Sequence, residues 1–204
     1  MSASDKARTA LLVAVLAAGG LSFFGYQLYQ RAPRTTQAGM PTFGDFTVDT
    51  TEEPLAVSQM KGKVVAVYFG YAGCPDICPT TLSTVGAAFK ALSDEEVAQV
   101  SGLFVSVDPD RDSLARLEEY ARFFHPHIRG GTTDEATLAT IGSDWGVRWE
   151  KAAGASKAMG YTVDHTSIVF LVGPDGRMRK ALPHGSDPDR LASEIRALLP
   201  SSNM

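Results

Sequence analysis

Lys63-Val64-Val65-Ala66-Val67-Tyr68-Phe69 runs without a break into Gly70-Tyr71-Ala72-Gly73-Cys74-Pro75-Asp76-Ile77-Cys78-Pro79. The first half is continuously apolar with no polar alternation, which reads as a central strand buried on both faces. The second half is a Gly/Pro-rich loop carrying both cysteines of the chain. Pro79 suits a first helical turn, where its missing N–H costs nothing, so a helix is expected from about Pro79 to Leu92. Strand, reactive loop and helix therefore follow one another directly. A helix starting near Cys78 turns its unpaired N–H groups and partial positive charge toward the sulfur there and favours the thiolate.

Working outward, Phe43 to Val48 reads as a first strand and Leu103 to Val107 as a further apolar strand. Ser93 with Glu96 has the form of a capping box, and Asp112 or Ser113 opens a helix to about Phe124 with Leu114, Leu117, Tyr120, Ala121 and Phe124 on one face. Thr132 with Glu135 reads as the cap of a helix to about Trp145. After a looser segment with Gly154 and Gly160, Thr166 to Val172 reads as a strand. Gly173-Pro174-Asp175-Gly176 turns it into Arg177 to Ala181 as a hairpin. Asp187-Pro188 starts a last helix ending at Pro200. This alternation predicts an α/β fold of thioredoxin type, a central mixed sheet flanked by helices.

The 204 residues suffice for one domain of about 150 residues plus an appendage. Thr9 to Tyr29 is free of charge and long enough to span a bilayer. The expected layout is a cytoplasmic N-terminus (residues 1–8), a transmembrane helix or uncleaved signal (9–29), a Pro/Thr/Gly/Gln-rich linker (30–41) and the folded domain (42–204). A cleaved signal peptide is the alternative for the apolar stretch. The flanking bases, Lys6 and Arg8 before and Arg31 and Arg34 after, are too balanced to set an orientation. A net charge of −4 and the lack of a Lys/Arg-rich run exclude nucleic acid as a partner class.

Cys74 and Cys78, four residues apart, can converge on one ion, join each other, or fill a core; the Gly/Pro-rich setting speaks against the last. His165, in Val163-Asp164-His165-Thr166, falls near the cysteine loop on a thioredoxin-type sheet. A lone histidine is also an ordinary surface or hydrogen-bonded residue. Two soft thiolates and an imidazole suit copper, Cu(I) above all, whereas structural zinc normally takes a fourth protein ligand. His125, His127 and His184 are weaker candidates, and Met159 reads as packing. Asp76 between the cysteines is an N-cap or a modulator of thiolate charge. Asp108-Pro109-Asp110-Arg111-Asp112 either brings a carboxylate near the metal or serves as a turn and cap.

Gly70-Tyr71-x-x-Cys74-Pro75-Asp76-Ile77-Cys78-Pro79-Thr80-Thr81-Leu82, Val107-Asp108-Pro109-Asp110-Arg111-Asp112 and Tyr161-x-Val163-Asp164-His165 together resemble the Sco/SenC family, in family order and across about Phe43 to Leu199. The three intervening residues between the cysteines separate this pattern from ordinary thioredoxins, which have two. The resemblance implies a membrane-tethered copper metallochaperone that helps assemble the copper A centre of cytochrome c oxidase subunit II. It implies Cys74, Cys78 and His165 as copper ligands. It further implies a copper donor chaperone, a thiol reductant of thioredoxin type, and a domain facing the bacterial periplasm or the mitochondrial intermembrane space. With only Lys6 and Arg8 basic and Asp5 acidic before the span, no clear mitochondrial presequence is offered, and a bacterial inner membrane with the domain facing the periplasm is expected. On that reading the chain is not primarily an enzyme. The rival is a thiol-disulfide oxidoreductase with Cys74 and Cys78 as its redox-active pair. A copper or redox sensor and a thiol peroxidase are more distant possibilities. Departures from the family pattern lie in loops, chiefly Arg129 to Thr133 and Lys151 to Gly160.

Overall fold

The computed structural model describes residues 44–153 and 160–200. The expected anchor at 9–29 and linker at 30–41 lie outside the described residues, as does Met159. Among the described residues no helix is long and apolar enough to cross a membrane.

All seven residues of β3 (Val64–Gly70) are buried, as its unbroken apolar run requires. It lies at the centre of a five-stranded sheet ordered β5-β4-β3-β8-β9, with β4 at Val100–Ser106, β5 at Ile128–Gly131, β8 at Ile168–Val172 and β9 at Met178–Pro183. β3, β4 and β5 run parallel, and β8 and β9 are antiparallel, so the sheet is mixed. Successive side chains of β3 point to opposite faces. Tyr68 stacks on Phe104 of β4, which meets Tyr120 of α3 (Leu114–Phe124). Phe69 points the other way, to an aromatic cluster of Phe46, Trp145 and Phe170. Trp145 closes α4 (Glu135–Trp145), which ends at Gly146 in the left-handed conformation. The first face is covered by α1 (Ile77–Lys90), which buries Cys78, Leu82, Val85 and Phe89 at helical spacing and packs against α5 (Pro188–Leu198).

Several local expectations hold in detail. Ser93 and Glu96 form the reciprocal capping box of α2 (Asp94–Val97). Asp187 caps α5 with Pro188 in its first turn, and Ser113 caps α3. Others are corrected. Thr132 does not cap α4: Asp134 does, accepting from the amides of Ala136 and Thr137, while the Thr132 hydroxyl donates to the Ser106 carbonyl. Residues 128–131 form strand β5 rather than a loop. Within the looser segment before His165, residues 154–159 lie outside the described residues, and on either side of them β6 (Trp149–Ala153) pairs antiparallel with β7 (Tyr161–His165) as a two-stranded sheet of its own. The strand expected from Thr166 begins at Ile168. Near the described start, β1 (Thr47–Val48) pairs with β2 (Leu55–Ala56), shorter than the strand expected from Phe43.

Gly130 is where α3 comes down onto the sheet. A Cβ built there would lie 2.2 Å from the Leu117 carbonyl oxygen, a backbone atom that cannot swing aside. We therefore predict that Gly130→Ala lowers unfolding free energy by about 1–3 kcal/mol in urea denaturation, the usual cost of overpacking. Phe123→Ser, at a residue 83% exposed, should stay within about 0.5 kcal/mol of the parent.

Candidate metal centre

The site forms at the carboxyl ends of β3 and β4, where α/β folds commonly place ligands. β3 ends at Gly70, and a turn closed by the Cys74 amide donating to the Tyr71 carbonyl (3.2 Å) lifts the first cysteine above the sheet. α1 then begins at Ile77, placing Cys78 in its first turn. Cys78 is fully buried, against Gly70: a Cβ on that glycine would stand 2.7 Å from the Cys78 sulfur. Only glycine leaves the sulfur room there.

Cys74 Sγ accepts the Cys78 amide at 3.4 Å, so the helix N-terminus that the sequence pointed to Cys78 in fact faces the other cysteine. Cys74 is half-buried and its thiol is held far below the usual range. The chief cause is the hydrogen bond from the Cys78 side chain, with the amides of Asp76 and Cys78 adding to it. Cys78 is pushed up, because it shares that proton with Cys74 and is removed from water. The thiolate is therefore favoured on Cys74 and the neutral thiol on Cys78 beneath it. Both are free cysteines in this structure.

His165, half-buried at the end of β7, brings Nε2 to 3.2 Å from the Cys78 sulfur. Its Nδ1 lies 3.1 Å from the Thr166 carbonyl oxygen. A carbonyl only accepts, so Nδ1 carries the proton and Nε2 keeps its lone pair for a ligand. The rings of Tyr68 and Tyr71 stand edge-on to the imidazole, at 6.1 and 6.0 Å between centroids. One ligand atom from each of Cys74, Cys78 and His165 lies within 4.8 Å of the others, and among the described residues this is the group of three or more able to hold a metal ion. Two clefts flank it. One of about 380 Å³ is lined by Cys74, Pro75, Asp76 and His165; a larger one of about 920 Å³ runs from His165 past Trp149 to Glu135.

The other candidates fall elsewhere. His127 donates through Nδ1 to the Val97 carbonyl, His125 packs edge-on against Phe89, and His184 Nδ1 pairs with the Thr81 hydroxyl at 2.8 Å. Asp76 occupies the N-cap position, but its side chain makes no capping bond and accepts from the Thr80 hydroxyl at 3.4 Å. Asp108 is fully buried and serves the turn the sequence offered: its backbone carbonyl accepts from the amides of Arg111 and Asp112, and its side-chain oxygens accept from Arg111 Nε (2.5 Å) and the Tyr161 hydroxyl (2.6 Å). Sequence reasoning missed Tyr71 and Tyr161 as parts of the site. Both stood inside quoted motifs, but an aromatic residue carries no ligand chemistry to draw attention to it.

Fold and donor set define a class: a thioredoxin-like α/β protein with two sulfurs and an imidazole nitrogen at the helix end, a group that could hold a metal ion. The chain matches the family described as SCO1/SenC over residues 34–200, and it belongs to that family. Protein SCO1, mitochondrial, of Saccharomyces cerevisiae is 31% identical over 206 residues, covering 94% of this chain and 68% of the yeast protein. The structure of Bradyrhizobium japonicum ScoI with copper bound is similar with a TM-score of 0.68 at 30% identity, covering 76% of this chain and 98% of the other. Arabidopsis thaliana ScoI with copper bound gives a TM-score of 0.71 at 27% identity, with coverage of 78% and 98%.

Exposure and ionisation both single out Cys74, so iodoacetamide should modify Cys74 well before Cys78 in the reduced, metal-free protein. Because the Cys74 thiol is depressed, its proton is already lost at neutral pH. Its alkylation rate should stay nearly flat from pH 8 to pH 6, where an ordinary thiol ionising near 9 slows about tenfold per unit. Peptide mapping by mass spectrometry reads both outcomes.

Proposed function

We propose that this chain is a copper-binding assembly protein that carries Cu(I) on Cys74, Cys78 and His165 to the copper A centre of cytochrome c oxidase subunit II. The observation that carries this reading is the convergence of two sulfurs and one imidazole nitrogen within 4.8 Å. Soft thiolates with one imidazole favour Cu(I), and no fourth protein ligand of the kind structural zinc prefers belongs to the group. The relatives solved with copper and the family membership support the same assignment.

Hand-over is ligand exchange. Half-buried Cys74, open to a cleft, is the arm that an incoming thiolate on the target reaches first; buried Cys78 is released last. Loading requires the reduced pair. If the pair gives up the Cys78 thiol proton and two electrons to an acceptor and joins as a disulfide, both sulfur donors are lost, so redox state gates binding. A thiol reductant of thioredoxin type restores the pair, and a separate copper donor fills the site. In this scheme residues 9–29 anchor the chain in a bacterial inner membrane with residues 1–8 in the cytoplasm. The tether at 30–41 then presents the domain, residues 42–204, to the periplasm.

A second reading is favoured by one observation, a half-buried Cys74 that accepts the Cys78 amide and stands over a fully buried Cys78. That is the arrangement of an attacking and a resolving thiol, which would make the chain a thiol-disulfide oxidoreductase acting on the cysteines of the oxidase copper site. Anaerobic Cu(I) competition on the reduced full-length chain in detergent separates the two. The copper reading expects one tightly held ion per chain, lost in Cys74→Ser and in Cys78→Ser and weakened at least about tenfold in His165→Ala. Weak binding indifferent to His165, with turnover of disulfide substrates by metal-free protein, would leave the reductase reading in its place.

A further inference from the structure

His165 ends a ribbon that is not part of the main sheet and leads within three residues into β8, so contacts made by the ribbon's side chains share in setting its distance from the cysteines. Those contacts converge on the loop after β4. Four residues before His165, Tyr161 is gripped by this loop in three ways. Its hydroxyl donates to Asp108 Oδ1 at 2.6 Å. Its ring lies under the Arg111 guanidinium, 3.6 Å from carbon to centroid. Its carbonyl oxygen accepts from Arg111 Nη1 at 2.8 Å. Arg111 Nε donates in turn to the buried Asp108. The same loop holds the cysteine side, since the Asp112 carboxylate accepts from the Ala72 amide at 2.8 Å and from the Ser106 hydroxyl at 2.6 Å. Tyr71 closes the circuit: its hydroxyl accepts from the Val163 amide of β7 at 3.3 Å, and its ring lies 5.6 Å from Arg111.

We propose that Arg111, seated on Asp108 and clasping Tyr161, is a positioning residue for His165: it holds the β6–β7 ribbon at the spacing that turns Nε2 toward the Cys78 sulfur. The proposal rests on the reading of His165 as a copper ligand. Arginine is required because one planar group must stack on a ring while donating in two directions at once. Lysine keeps the charge beside Asp108 but cannot do both. Residues that orient a ligand commonly contribute ten- to hundredfold to metal affinity without touching the metal.

The test compares Cu(I) affinity of the full-length chain, its Arg111→Lys and His165→Ala variants and the double variant, with melting temperature and Cu(II) electron paramagnetic resonance alongside. Arg111→Lys should bind about tenfold more weakly and lose nitrogen hyperfine structure toward the pattern of His165→Ala. In the His165→Ala background it should cost less than about twofold, because there is no ligand left to position. Tyr161→Leu, which leaves the Asp108–Arg111 pair in place, should reproduce the loss and decides the matter if Arg111→Lys does not fold. An equal loss in both backgrounds, or wild-type affinity in Arg111→Lys and Tyr161→Leu while His165→Ala is weakened, would overturn the positioning role alone. Wild-type affinity in His165→Ala would overturn the ligand reading itself.

Discussion

Strand β3 has no wet face, and that constraint organises the rest of the molecule. A strand dry on both sides needs hydrogen-bonded neighbours on both edges and a layer on each face, which β4, β8, the aromatic cluster around Trp145 and the helices around α1 supply. Because the chain must leave such a strand at its end and turn back as a covering helix, the turn is compelled to lie at the sheet's carboxyl edge. The cysteines occupy that turn. Their chemistry is therefore placed by packing rather than by any contact they make with each other.

Electrostatics then differentiates two residues of the same kind. The amides that open α1 face Cys74, while burial surrounds Cys78. One sulfur is left charged and reachable, the other neutral and enclosed, from a spacing that treats them alike. The imidazole completes the set through its tautomer, which the Thr166 carbonyl imposes.

Much of this was legible in the residues. The apolar run at 63–69, the capping residues Ser93 and Asp187, and the three-motif pattern identified the sheet, the helices and the three convergent side chains. The missed elements share a physical cause. Strand β5 (Ile128–Gly131) contains two glycines and only one large apolar residue, because α3 and Val48 crowd close against those glycines. The β6–β7 ribbon has mostly half-exposed or exposed side chains, so it lacks the alternation that marks a strand packed on a core. Asp108 could not be assigned from spacing, since its partner Tyr161 lies 53 positions away. The exchange of helix dipole from Cys78 to Cys74 was likewise a matter of one turn's geometry that spacing does not encode.

The sulfur of Cys78 fills the space that a side chain on Gly70 would have taken, where a Cβ would also meet the rings of Phe104 and Tyr68. It belongs to the group that could hold a metal ion and is also a structural plug in the interior. Drawing that plug outward, toward another sulfur or toward a departing ion, opens a void in a region packed as densely as a molecular crystal. The hydrophobic interior thus behaves as a return spring on the reactive group. It favours the seated thiol whenever the sulfur has been drawn outward.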